Sequence, residues 1–129
     1  MKKESNKKRP TEAELSILGV LWERGPSTVR EVHEVLHPSD EVGYTTTLKL
    51  MQIMAEKSLA FRDTSERTHV YTAALKEAQN QKRMVADILK SAFRGSRSKL
   101  VMQILGDNKA SKEELDQIKA LIKQIENKQ

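Results

Sequence analysis

Apolar positions set a helical beat in the first third of the chain, switch to a two-residue beat, and then return to the helical one. Leu15, Ile17, Leu18, Leu21 and Trp22 follow the capping box Thr11-Glu-Ala-Glu14, in which Thr11 can cap a backbone amide and Glu14 can reach back. Gly25-Pro26 stops that helix. Thr28-Val-Arg-Glu31 is a second capping box and opens a short helix with Val29, Val32, Val35 and Leu36 inward, ended by Pro38. The segment from His37 to Gly43 is a turn rich in breakers, and Gly43 can serve as N-cap for the next helix. The spacing of Thr47, Leu50, Met51 and Met54 predicts a helix from Tyr44 to Lys57 with those four on its core face. Two short helices, a turn and a third helix make a helix-turn-helix.

Beyond Lys57 the period becomes two. Leu59-Ala-Phe61-Arg-Asp63 and Thr68-His-Val70-Tyr-Thr72 alternate apolar and polar, with the polar loop Thr64-Ser-Glu-Arg67 between them. A helix-turn-helix followed at once by a small hairpin is the winged-helix plan, with Arg67 at the tip of the wing. From Leu75 the pattern is helical again. Met84, Val85, Ile88, Leu89, Ala92 and Phe93 form one stripe, Gly95-Ser-Arg-Ser98 breaks it, and Leu100, Val101, Ile104 and Leu105 form a second helix ended by Gly106. A third capping box, Ser111-Lys-Glu-Glu114, precedes Leu115, Ile118, Leu121, Ile122 and Ile125. The expected fold is therefore mainly α. It comprises a basic, disordered arm over residues 1–10, a winged helix over 11–75 with three helices and a small β-hairpin, and three helices over 76–129. The last segment carries more apolar stripe than it can bury alone. A homodimer is expected, with Ile88, Leu89, Leu100, Ile104, Leu115, Ile118, Leu121, Ile122 and Ile125 in the shared core.

Composition narrows the function. Charged residues make up 32% of the 129 and aromatics 4%, which suits helical surfaces over a modest core and argues against a large β-sandwich. The absence of cysteine excludes disulfides, thiolate metal sites and cysteine nucleophiles. No apolar run approaches the ~18–20 residues of a membrane span, and no signal-peptide core follows Met1, so a soluble, cytoplasmic protein is expected, without membrane insertion. The net charge of +5 is unevenly placed: residues 1–10 carry net +4, residues 11–77 net −4, and residues 78–100 net +5. DNA binding must therefore rest on where the cations sit.

The outward face of the Tyr44–Lys57 helix has the chemistry for that. Thr45, Thr46, Lys49 and Gln52 offer hydroxyls, a cation and an amide, with no acid before Glu56. Such groups suit base edges and phosphates in a major groove, and Leu48 can meet a thymine methyl. A solvated helix face is the plainer reading of the same residues, and a protein-docking module is the rival reading of the acidic 11–77 segment. The basic arm reads as a solubilising tail or as a salt-dependent phosphate contact. His33-Glu-Val-Leu-His37 matches the zinc-protease spacing H-E-x-x-H, but Pro38 ends the helix directly after His37 and His69, the remaining histidine, lies in the hairpin. The pair is expected on the surface, and no catalytic residue, metal or cofactor is expected.

Leu15-Ser-Ile-Leu-Gly-Val-Leu-Trp22, Tyr44-Thr-Thr-Thr with Leu50-Met51 and Lys57, and Arg67 with Val70-Tyr-Thr72 resemble the penicillinase-repressor family (BlaI, MecI and CopY). The resemblance runs over residues 11 to 127 and is most specific in the first 75. It implies a winged-helix transcriptional repressor that binds a palindromic double-stranded DNA operator as a homodimer. By position it places Thr45, Thr46 and Lys49 in the groove and Arg67 on the wing. The chain departs from the family in having Ser58 where Gly is usual, Glu66 where Gly often precedes the wing arginine, and Ile53 where arginine is common. In the β-lactam branch a membrane sensor metallopeptidase acts upstream of repressor cleavage at an Asn-Phe bond. The matching position in this chain is Gln103-Ile104. The copper branch senses through C-terminal cysteines, which this chain lacks.

Overall fold

In a computed structural model, residues 9–129 are described. The basic arm expected over residues 1–10 thus lies almost wholly outside the described residues. The chain forms two compact units, one reaching to Gln81 and the other Lys82–Gln129.

The first unit contains α1 (Glu12–Arg24), β1 (Ser27–Thr28), α2 (Val29–Leu36), α3 (Tyr44–Glu56), β2 (Ala60–Asp63) and β3 (Val70–Ala73). Both capping boxes of this unit form. Thr11 and Thr28 each accept a backbone N–H three residues on, and Glu14 and Glu31 accept the N-cap amide in return. Gly25 closes α1 at φ 85°, a left-handed backbone that glycine adopts without Cβ strain. The core joins α1 (Ile17, Leu18, Val20, Leu21), α2 (Val29, Val32), α3 (Met51, Met54) and the sheet (Ala60, Tyr71), with Leu59 between α3 and β2. Trp22 packs at its edge, and its indole N–H donates to the Leu75 carbonyl at 2.7 Å.

The wing differs from a simple hairpin. Three antiparallel strands run in the order β1-β3-β2, with Ser27 opposite Tyr71 and Arg62 opposite Tyr71 on the other side. β1 is two residues long, too short to leave a period in the sequence. The inward face also differs from the simplest alternation: Tyr71 is buried while Phe61 is 66% exposed. Leu59 fills the core from just before the strand, so Ala60 takes the inward place in β2 and Phe61 is turned out. On α2 one expected core residue is corrected: Val35 is 50% exposed, because an eight-residue helix turns only Val29, Val32 and His33 fully inward.

Among the described residues, the buried polar side chains of this unit are Glu14, Ser27, His33, Thr47 and Asn80. Glu14 is 2% exposed, and Lys57 Nζ donates to both of its carboxylate oxygens at 2.9 and 3.0 Å. His33 is 3% exposed. The expectation of a surface histidine pair is therefore overturned for His33, and its hydrogen bonds explain why it can be buried.

α4 (Glu77–Ser91) spans the division between the units. The second unit also holds α5 (Arg97–Leu105) and α6 (Lys112–Lys128), with Ser111 and Glu114 forming the third capping box. None of its residues is fully buried. Met84, Val85, Ile88, Val101, Met102, Ile104, Leu121, Ile122 and Ile125 are each more than 40% exposed.

Candidate nucleic-acid interface

α3 is held as a rigid rod by one face and offers the other. Thr47, Met51 and Met54 are buried, and Leu48, Leu50 and Ala55 pack at the core margin. Thr45, Thr46, Lys49 and Gln52 are all exposed. The N-cap is Gly43, with no side-chain cap bond and no acid in the first turn, unlike α1, α2 and α6. The first turn of α3 thus supplies no acid of its own to its free amides and the helix dipole. The C-terminus is closed by a Schellman arrangement: Ser58 N–H donates to Ala55 O at 3.2 Å and Leu59 N–H to Met54 O at 2.9 Å. This motif requires the left-handed backbone that Ser58 adopts at φ 65°. A glycine usual at this place in the family has its physical reason there.

The expected contact residues fall on two adjacent strips. Leu48, Gln52 and Arg67 line one open groove of about 690 Å³ with Arg30, Tyr44, Thr68, His69 and Tyr71. Thr45, Thr46 and Lys49 lie on the next strip of α3 and do not line it. Leu48 is shared between groove and core, so only part of its side chain is available to a ligand. The wing loop begins with Ser65 N–H donating to Asp63 at 2.9 Å. Hydrogen bonds from Ser65 hold the Asp63 carboxyl below the usual carboxylate range.

Arg30, Tyr44 and His69 line this groove without having been among the expected contact residues. The Arg30 guanidinium stands 4.6 Å from the centre of the Tyr44 ring, a cation–π contact that sets a positive charge over the start of α3. The available signal was its place on the outer face of α2, one residue past Val29. Glu31, next to Arg30 and also in the groove, is committed to the α2 cap. The Thr28 backbone amide, then its hydroxyl, hold the Glu31 carboxyl below its ordinary range. Among the described residues no group of three or more His, Cys, Asp or Glu could hold a metal ion, and no helix is long and apolar enough to cross a membrane.

A model of the penicillinase repressor family matches residues 10–124, both units together. This chain belongs to the penicillinase repressor family. Two curated relatives, each called "Transcriptional regulator BlaI" and coming from Mycobacterium tuberculosis strains CDC 1551 / Oshkosh and ATCC 25618 / H37Rv, are 37% identical over 59 residues. That match covers 45% of this chain and 43% of either relative, so the chain spans less than half the length of the relatives it matches. Against the family pattern, Glu66 stands exposed in the wing loop and Ile53 is half-buried on α3. Gln103 and Ile104 lie within α5 and are exposed, Ile104 by 61%. Cleavage of that bond would require α5 to unwind, because a peptidase takes its substrate extended.

Proposed function

We propose that this chain is a homodimeric, sequence-specific repressor of transcription that reads a palindromic operator through α3. The observation that carries the reading is the two-sided construction of α3: Thr47, Met51 and Met54 fixed in the core, and Thr45, Thr46, Lys49 and Gln52 exposed beside a wing bearing Arg67. A helix so held can enter a major groove without paying to order itself, and its exposed groups are donors and acceptors suited to base edges. Arg67 and Arg30, on opposite elements lining one groove, suit the phosphates flanking that helix. Pairing is supported by the second unit, whose large apolar residues stay exposed within one chain. Ile88, Leu89, Leu100, Ile104, Leu115, Ile118, Leu121, Ile122 and Ile125 would form the shared core. Two α3 helices related by a dyad call for half-sites about one helical turn of DNA apart.

A docking module that binds protein instead of DNA is the second reading, favoured by the exposed Phe61 and by the net −4 of residues 11–77. One experiment separates the two. Duplexes are selected from a random pool by the wild-type protein, and the Lys49→Ala variant is then titrated against the winner. The repressor reading expects a selected palindrome and about ten-fold weaker binding by Lys49→Ala, with the dimer intact. Failure to retain any duplex at low salt, or equal affinity of the two proteins across a salt series, rejects it.

A further inference from the structure

The one motif that the function leaves unused is His33-Glu-Val-Leu-His37, and the structure gives its first histidine work of another kind. His33 projects from α2 into the core margin and is 3% exposed. Its Nδ1 lies 2.8 Å from Thr47 Oγ1 on α3, and its Nε2 lies 2.8 Å from Asp40 Oδ1 in the turn between the helices. The ring meets Tyr44, the first residue of α3, edge-on at 5.7 Å, and His37 at 5.5 Å. In the neutral ring, Nε2–H donates to the Asp40 carboxylate and Nδ1 accepts the Thr47 hydroxyl proton. Both nitrogens are thus used, and they bond to the two elements that follow α2 in the chain.

What these bonds hold is the end of α3 that carries the reading face. The second half of α3 is anchored by Leu50, Met51 and Met54, all apolar. The first half has only Tyr44, Thr47 and Leu48 directed inward, and its N-cap makes no side-chain bond. The turn before it carries a left-handed non-glycine residue, Asp40 at φ 55°. Asp40 itself is largely exposed; its backbone N–H donates to the His37 carbonyl at 3.0 Å, and the His33 bond is what fixes its side chain. We propose that His33 is a positioning residue: it pins the turn and the first half of α3, and so sets how Thr45, Thr46 and Lys49 are presented to bases. The inference rests on the DNA-reading function proposed above, and His33 itself touches no DNA.

Four variants test it. His33→Leu fills the space and removes both bonds. His33→Gln can return an amide donor near the Nε2 place. Asp40→Ala removes one bond from an exposed site. Asp40→Asn keeps an acceptor oxygen and tolerates positive φ. Two readouts are taken: amide hydrogen exchange over residues 39–47 in the free protein, and affinity for the selected palindrome and for a random duplex of equal length. His33→Leu and Asp40→Ala should speed exchange in that segment and weaken palindrome binding about ten-fold, with random-duplex binding within two-fold of wild type. His33→Gln and Asp40→Asn should recover most of the palindrome affinity. Unchanged exchange in the first two variants overturns the pin. An equal loss on both duplexes also overturns it, since that is loss of folded protein, not of presentation. If His33→Leu does not fold, a fifth variant, Thr47→Val, which removes the Nδ1 bond and leaves Asp40 at its positive φ, decides together with Asp40→Ala. Faster exchange over residues 39–47 in both supports the pin, and unchanged exchange in Thr47→Val overturns it. A wild-type protein that selects no duplex overturns the DNA reading and the presentation claim with it, while exchange still reports whether the turn is pinned.

Discussion

A single left-handed serine ends the helix proposed to read DNA. Ser58 closes α3, and its φ of 65° carries a steric cost that glycine would not have. That cost is about 1–2 kcal/mol, against about 0.5–1 kcal/mol for the extra freedom glycine loses on folding. Ser58→Gly should therefore stabilise the first unit by about 0.5–1 kcal/mol, read as a rise of a few degrees in the melting midpoint. A fall in the midpoint would show that the serine is not strained. At this scale the sequence was legible where period alone decides. Thr45, Thr46, Lys49 and Gln52 are all exposed as their spacing predicts. It was not legible where a polar residue is buried. His33 read as a surface residue, and Glu14 as no more than a cap partner, because what buries them stands elsewhere: Lys57 is 43 positions from Glu14, and Asp40 lies in a turn seven positions beyond His33.

Between elements, the Glu14–Lys57 pair joins the start of α1 to the end of α3. Glu14 is 2% exposed, but the Lys57 side chain is 31% exposed, so the two partners are not equivalent. Without Lys57 a buried carboxylate is left with the Thr11 amide; without the Glu14 charge, Lys57 can turn to water. Lys57→Met should destabilise the unit by about 2–4 kcal/mol, the upper part of that range discounted for the exposed lysine, and Glu14→Gln by clearly less. Denaturant unfolding of the two variants checks the order, and a reversed order would contradict it. The elements themselves were readable from their caps: all three sequence capping boxes form. β1 was not, since two residues cannot display a period. Nor was the inward face of the wing, because Leu59 takes a core place from outside the strand and shifts Phe61 outward.

For the molecule as a whole, the apolar stripes of residues 82–129 were legible as stripes, and the structure leaves them exposed in one chain. What covers them is a second chain under the proposed function. Leu121→Glu, at a residue 55% exposed, should leave the first unit folded and turn the dimer into monomer by sedimentation. Affinity for the palindrome should then collapse, because one half-site contributes only part of the binding energy. The uneven charge makes the same point about placement: the segment that holds α3 is net acidic, so under the proposed function binding would depend on a few cations, Arg30, Lys49 and Arg67, and on pairing. The most direct test is a titration of the selected palindrome with wild-type protein at several salt concentrations, reading both stoichiometry and affinity. Two chains should bind per duplex, with log affinity falling linearly as log salt rises. Saturation at one chain per duplex, or an affinity indifferent to salt, would contradict a paired α3 reading DNA.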